Sequence, residues 1–134
     1  MTRKEQLDEL EKLLGRLRAA NLGSPVLVEG DRDAVALHLL GLEGEVLKIN
    51  QGLSLVERSD ELSHKYRKVI LLTDWDDKGV QLHARLRGLL EDVQVESDDF
   101  FWNRLKRLVG GGSRTVEDLP AFIRILKERS GSEG

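Results

Sequence analysis

The chain alternates short apolar runs with longer segments in which apolar and charged residues are mixed. Strands are predicted at residues 26–29, 45–49, 68–73 and 93–95. Around and between these runs, leucines and other apolar residues recur every three or four positions, which is the spacing of amphipathic helices. Strands that alternate with helices are typical of a parallel sheet with helices on its faces. The pattern therefore predicts an α/β fold.

Both ends of the chain are predicted to be helical. The leucine stripe in residues 3–20 is compatible with the seam of a coiled-coil homodimer, but a sustained seam needs three or four heptads, which favours packing onto the domain. Thr115 and Pro120 mark the start of a final helix, as a capping residue and a first-turn proline. We expect an N-terminal amphipathic helix at 1–23, an α/β core at 24–97 and a C-terminal helical extension at 98–134.

Composition narrows the classes of function. The chain has no cysteine, which excludes disulfides, thiol catalysis, Cys-ligated zinc and iron–sulfur clusters. The formal net charge of −3 provides no strong positive field, so nucleic-acid binding would require a local basic patch or a metal ion. No apolar run approaches the roughly 18 residues of a membrane span, and the polar first residues do not resemble a signal peptide. We therefore expect a cytoplasmic protein without a membrane partner.

Acidic residues follow two of the most apolar predicted strands. Glu29 ends the first, and Asp74, with Asp76 two positions later, ends the third. Ligands of open parallel sheets bind beyond the carboxyl ends of the strands, and residues i and i+2 of an extended chain point the same way. If the first and third strands are neighbours, these carboxylates can bind one ion. Helix capping is the alternative, and it is favoured for Asp31 and Asp77.

Oxygen-only ligands suit a hard cation, which predicts Mg²⁺, with Mn²⁺ as a substitute. Three clustered carboxylates repel one another by about 4 kcal/mol per pair at 4 Å and an effective dielectric of 20. A fold that accepts this repulsion needs a compensating cation. A second ion could share Asp74 and also use Asp76, as in many phosphoryl-transfer sites.

The same residues resemble the motifs of the Toprim domain family. Residues 26–33, Val-Leu-Val-Glu-Gly-Asp-Arg-Asp, are similar to the first motif, an apolar strand followed by Glu-Gly. Residues 71–79, Leu-Leu-Thr-Asp-Trp-Asp-Asp-Lys-Gly, resemble the second, an Asp-x-Asp followed by glycine three positions later. Residues 50–54 resemble the glycine-bearing turn after the second Toprim strand. The resemblance covers residues 25–96, and the short chain resembles small stand-alone Toprim proteins.

The resemblance implies a Rossmann-like fold with a four-stranded, mostly parallel sheet, helices on both faces and additional terminal helices. It also implies that Glu29 binds the first Mg²⁺ and acts as general acid or base. Asp74 would bridge two ions and Asp76 would hold the second. Some family members carry a third Asp two residues further on, where this chain has Lys78. That difference favours one ion over two.

Toprim domains occur in primases, topoisomerases and nucleases that mature 5S ribosomal RNA. The resemblance therefore implies a Mg²⁺-dependent nuclease or phosphotransferase that acts on RNA or DNA phosphodiesters. The alternative is a non-catalytic module that binds nucleic acid or a protein partner through a metal ion. A third interpretation is an Asp-x-Asp phosphoacceptor, but Lys78 stands where such phosphatases usually have threonine.

Several basic residues near these motifs are candidate phosphate ligands. The candidates are Arg32, Lys78, Arg104, Lys106 and Arg107, with Arg114 beside the triple glycine 110–112. For each, a solvated side chain or a surface ion pair is the alternative, with Asp31 or Asp33 as the expected partner of Arg32.

Further side chains are candidates for a role at the carboxylates or in base stacking. Trp102 could stack on a base, although core packing is favoured. His83 could approach the carboxylates, although this interpretation is not favoured. Glu117 and Asp118 could add further acidic groups, but acids at a helix N-terminus, where the helix dipole stabilises them, are favoured.

Overall fold

The computed structural model describes residues 1–49 and 52–133. In chain order the elements are α1 (Arg3–Asn21), β1 (Val26–Val28), α2 (Asp31–Leu39), β2 (Val46–Lys48), α3 (Leu55–Ser63), β3 (Lys68–Leu71), α4 (Asp77–Asp92), β4 (Glu96–Asp98), α5 (Phe100–Val109) and α6 (Leu119–Glu133). The strands form one sheet in the order β2-β1-β3-β4, with every described pair parallel. The predicted α/β, Rossmann-like fold is thus confirmed.

Residues 50 and 51, in the predicted glycine-bearing turn, lie outside the described residues. Across the described ranges, no helix combines the length and apolar character that a membrane crossing requires.

The two central strands, β1 and β3, are direct neighbours. Val26 pairs with Ile70 and Leu27 with Leu71. Because the strands are parallel, their carboxyl ends reach the same edge of the sheet. Glu29 and Asp74 follow these ends, so the topology meets the condition on which the predicted carboxylate site depends.

Successive residues of the central strands face two different cores. Val28 and Ile70 belong to the core that the sheet shares with α1, α5 and α6. Leu27 and Leu71 point the other way, into the core shared with α3 and α4. A parallel sheet covered on both faces requires strands that are apolar throughout rather than alternating. This requirement explains why the central strands were recognisable from the sequence.

The leucine stripe of α1 packs within the chain. Leu10, Leu13, Leu14 and Leu17 are all buried against the core that includes α5 and α6. Burial of this stripe agrees with the prediction that α1 packs onto the domain.

The fourth strand and the start of the final helix differ most from the sequence prediction. The fourth strand lies at Glu96–Asp98 rather than at 93–95. Val95 is instead buried in the α3–α4 core after a turn in which Gln94 has a φ of 63°. Among the described strands, β4 is an outermost strand of the sheet and pairs only with β3. Its own sequence therefore need not be apolar. At the other boundary, Thr115 accepts a hydrogen bond from the Asp118 N–H, but α6 begins only at Leu119.

Helix α4 starts in close contact with the end of β3. The Gly79 carbonyl accepts a hydrogen bond from Thr73 Oγ1 at 2.9 Å. A Cβ atom on Gly79 would lie 2.2 Å from the Asp74 carbonyl oxygen. Only glycine therefore allows α4 to begin this close to the acidic loop 74–76.

We expect Gly79→Ala to lower the free energy of unfolding by about 1–3 kcal/mol, because the added methyl group must displace backbone. Gly88→Ala in the same helix is the matched control, because its Cβ would meet no atom within 4 Å. That variant should gain about 0.5–1 kcal/mol. Urea denaturation monitored by circular dichroism measures both. A Gly79→Ala variant as stable as the wild type would contradict the close contact.

Candidate metal centre

Glu29 and Asp74 are joined directly at the carboxyl ends of β1 and β3. Glu29 Oε2 accepts a hydrogen bond from the backbone N–H of Asp74 at 2.8 Å. The negative charge of Glu29 also raises the pKa of Asp74. Two of the three predicted metal ligands are therefore adjacent, although 45 residues separate them in the sequence.

The segment that precedes α6 closes over this pair. Asp74 Oδ1 accepts a hydrogen bond from the Val116 N–H at 2.8 Å. The Trp75 N–H donates to the Arg114 carbonyl at 2.8 Å. The acidic loop is thus held between the sheet and a segment close to the C-terminus, an arrangement that no local sequence pattern indicates.

Asp76 caps helix α4. Its Oδ1 atom accepts a hydrogen bond from the Gly79 N–H at 2.7 Å, and its backbone is extended. Capping was predicted for Asp77, which instead lies exposed in the first helical turn. Within residues 1–49 and 52–133, no three acidic or histidine side chains are already arranged to hold a metal ion. Joint coordination by Glu29, Asp74 and Asp76 therefore stays a prediction.

Asp74 lies in an environment that disfavours its charged form. Partial burial raises its pKa from the ordinary 3.8 to about 6. The negative charges of Glu29 and Asp76 add to this increase, whereas the hydrogen bond from Val116 opposes it. The site thus concentrates negative charge in a partly desolvated position, as a cation site requires.

Asp33 is a further member of the acidic group that sequence reasoning missed. Its side chain is buried, accepts a hydrogen bond from the Gly30 N–H at 3.1 Å and also accepts from the Glu117 backbone. Burial raises the pKa of Asp33, and the charges of Asp74 and Glu117 add to the effect. Its position in the first turn of α2, where an acidic side chain can reach back to the capping amide, was the available signal.

The candidate cations nearest the motifs lie on the surface. Arg32 is exposed and pairs with Glu117, with 3.7 Å between Nη1 and Oε1. The expected partner Asp31 instead pairs with Lys48 at 2.5 Å. Lys78 is exposed in the first turn of α4. Exposed pairs of this kind add little to stability.

The candidate cations of α5 divide into two groups. Arg104 lies over the Phe100 ring, 4.9 Å from its centroid. Lys106 and Arg107, together with Arg114, line a pocket beside Trp75. The three basic residues of the pocket are thus brought together, whereas Arg104 lies outside it.

Trp102 belongs to the core. Its indole N–H donates to the Thr73 carbonyl at 2.9 Å, and its ring stacks on His83 with 3.9 Å between centroids. The Trp75 indole N–H donates to the Trp102 carbonyl at 3.1 Å. Burial lowers the pKa of His83, whose ring lies 3.6 Å from Asp99 rather than among the carboxylates. Trp102 is thus bound to the residue before the acidic loop and to Trp75 within it, and it supports the loop.

Comparison with known proteins identifies the family. The model of the Toprim domain matches residues 24–99, a stretch that contains Glu29, Asp74 and Asp76. A UPF0292 protein from Thermoplasma volcanium is 42% identical over 109 residues, which cover 81% of this chain and 90% of that protein. A UPF0292 protein from Thermococcus sibiricus is 36% identical and covers 86% of this chain and 88% of its own length.

A solved structure of a protein from Aquifex aeolicus superposes with a TM-score of 0.71 at 28% identity, covering 82% of this chain and 97% of that one. The similar fold and the relatives thus agree with the family match. The chain therefore belongs to the Toprim domain family and to the UPF0292 proteins.

Proposed function

We propose that this protein is a Mg²⁺-dependent enzyme that acts on nucleic-acid phosphodiesters, as a nuclease or a phosphotransferase. Membership of the Toprim family indicates a metal-dependent function related to nucleic acids. The observation that supports the more specific proposal is the contact between Glu29 and Asp74 at the ends of neighbouring parallel strands.

The donor set fits a hard divalent cation. Glu29, Asp74 and Asp76 each use one carboxylate oxygen for a backbone N–H, which orients the group and leaves its second oxygen outside that bond. Mg²⁺ keeps several waters and is commonly held by one or two carboxylates. Glu29 and Asp74 are sufficient by this criterion. A bound Mg²⁺ ion would supply Lewis acidity that offsets the charge developing on a phosphodiester.

The residues of the chain have distinct roles in this proposal. Glu29 is oriented by the Asp74 N–H at Oε2, an oxygen that has a second lone pair for the ion. Its Oε1 atom can exchange a proton with the attacking or leaving oxygen of the substrate. Asp74, fixed by the Val116 N–H, provides the other central ligand. Asp76 has only the oxygen that the Gly79 N–H does not bind to offer to a second ion, and Lys78 stands where some family members carry a further acidic ligand. One ion, Mg²⁺ or Mn²⁺, is therefore the simpler proposal.

The catalytic role of Glu29 is tested by Glu29→Gln. Glutamine keeps an oxygen that can accept from the Asp74 N–H but loses the charge and the basic group. We expect Mg²⁺-dependent cleavage of labelled RNA or DNA oligonucleotides to fall by about 10²–10⁴-fold. Glu43→Gln is the matched control, because Glu43 is exposed in the loop before β2, at the opposite edge of the sheet.

Cleavage that survives in Glu29→Gln, or that falls equally in Glu43→Gln, would contradict the assignment. A wild-type protein that binds the oligonucleotides but cleaves neither with Mg²⁺ nor with Mn²⁺ would instead be a non-catalytic binding module.

The raised pKa of Asp74 predicts a pH dependence of stability in metal-free buffer. A carboxyl group with a higher pKa in the folded chain stabilises the fold at low pH. This contribution is complete below about pH 4, the ordinary value, and is lost as pH rises through about 6. Asp74→Asn removes the charge and keeps an acceptor for Val116. We expect this variant to melt a few degrees above the wild type at pH 8, with the advantage disappearing near pH 4. If the difference in melting temperature between Asp74→Asn and the wild type were the same at pH 8 and near pH 4, the electrostatic cause would be contradicted.

Asp76 is tested as a ligand by its response to Mg²⁺. Asparagine is as good a helix cap as aspartate, so Asp76→Asn should melt at the wild-type temperature or higher in metal-free buffer. Added Mg²⁺ should stabilise the wild type by about 2.7 kcal/mol where the ion exceeds its Kd about a hundredfold, and should stabilise the variant less. Asp77→Asn is the matched control and should respond to Mg²⁺ as the wild type does. Equal responses in all three proteins would argue against Asp76 as a ligand.

A further inference from the structure

A pocket of about 540 Å³ lies between α5, the loop that follows it and Trp75 of the acidic loop 74–76. Its lining includes Trp75, Asn103, Lys106, Arg107, Gly111 and Arg114. Three of these side chains are cationic, and no acidic side chain among the described residues lines the pocket. In a chain with a formal net charge of −3, this is the kind of local basic site that nucleic-acid binding requires.

The pocket adjoins the loop that carries two of the carboxylates. Trp75, which lines the pocket, stands between Asp74 and Asp76 in the chain. Its N–H donates to the carbonyl of Arg114, another lining residue. Two residues further on, the Val116 N–H donates to Asp74. Since consecutive Cα atoms are about 3.8 Å apart, the basic pocket begins within one or two residues of the proposed metal ligands.

The cations of the pocket are available to a ligand. Among the ion pairs of the described residues, none involves Lys106, Arg107 or Arg114. All three side chains are exposed. Lys106 has its ammonium group 5.3 Å from the centroid of the Trp102 ring, which places it without neutralising it.

The carbonyl end of α5 works against an anion in this position, because it carries roughly half a negative charge. Lys106 and Arg107 in the last turn of α5, together with Arg114, bring three positive charges to the same place. The three positive charges therefore exceed the partial negative charge of the helix end. Arginine also presents a planar fork of donors that matches phosphate oxygens.

We propose that this pocket is a substrate subsite that binds a phosphate-bearing, unpaired nucleotide next to the phosphodiester at the carboxylates. The proposal rests on the proposed function, since it names the part of the substrate that the adjacent site holds. A pocket of this volume is within the range that encloses a small organic ligand. Apart from Trp75, its lining lies beyond the stretch that matches the Toprim domain.

The test is binding of a short, fluorescently labelled single-stranded oligonucleotide in EDTA, measured by anisotropy. The variant Lys106→Gln/Arg114→Gln removes two cations of the pocket. Lys65→Gln/Arg67→Gln is its matched control, because Lys65 and Arg67 are exposed just before β3, at the opposite edge of the sheet. The two variants have the same net charge. An RNA and a DNA oligonucleotide are each tested in two forms, once as a single strand and once annealed to a complementary strand.

We expect the Kd of the pocket variant for the single strand to rise on the order of tenfold. The slope of log Kd against log salt concentration should become shallower by about 0.7 for each phosphate that the variant no longer neutralises. The control should stay within about twofold of the wild type, because long-range charge effects are screened in salt. Both variants should melt at the wild-type temperature, because they change exposed side chains.

The proposal is overturned if the two variants lose affinity equally, if neither loses affinity, if the wild type does not bind at low salt, or if the duplex binds as tightly as the single strand. Its failure is distinguishable from failure of the proposed function. Glu29→Gln removes a negative charge from the carboxylate site and should bind in EDTA at least as tightly as the wild type. Absent cleavage with pocket-dependent binding therefore supports the subsite alone. Normal cleavage with binding that is independent of the pocket supports the enzyme and removes the subsite.

Discussion

The parallel pairing of β1 with β3 is the constraint on which the candidate site depends. It brings Glu29 and Asp74 to one edge of the sheet, where the Asp74 N–H binds the Glu29 carboxylate. The same contact sets two negative groups against each other in a partly buried position. The consequence is visible in Asp74, whose pKa burial and its acidic neighbours raise to about 6. The fold therefore keeps an electrostatically unfavourable arrangement, which a bound cation would relieve.

The segments outside the family match complete this arrangement. The backbone of residues 114–117 binds the acidic loop and Asp33. Trp102 of α5 binds the Thr73 carbonyl and receives the indole N–H of Trp75. Helices α5 and α6 share one core with α1 and the sheet. Helix α5 and the segment before α6 thus hold the acidic loop, and the terminal helices cover one face of the sheet.

The sequence predicts those parts of the site that depend on strand ends. Glu29 and Asp74 follow apolar runs, and a parallel sheet must bring such positions to one edge. Contacts made after tertiary packing have no comparable signal: the Val116 N–H reaches Asp74 across 42 residues, and β4 is placed by pairing rather than by its own hydrophobicity. The sequence predicts capping by Asp77, whereas Asp76 is the cap. Aspartate is favourable both as a cap and in the first helical turn, so residue preferences cannot locate a helix start to within one residue.

An acidic loop next to a basic pocket is the feature that best connects this fold to phosphodiester chemistry. A carboxylate cluster alone binds cations and repels a polyanionic strand, whereas a basic pocket alone binds the strand without activating it. Here Trp75 belongs to the acidic loop and also lines the pocket that contains Lys106, Arg107 and Arg114. A metal ion at the carboxylates would reduce the repulsion between the two regions and let one strand contact both. Because the Trp75 N–H binds the Arg114 carbonyl and the Val116 N–H binds Asp74, the fold sets the spacing between the backbone segments that carry the acidic loop and Arg114.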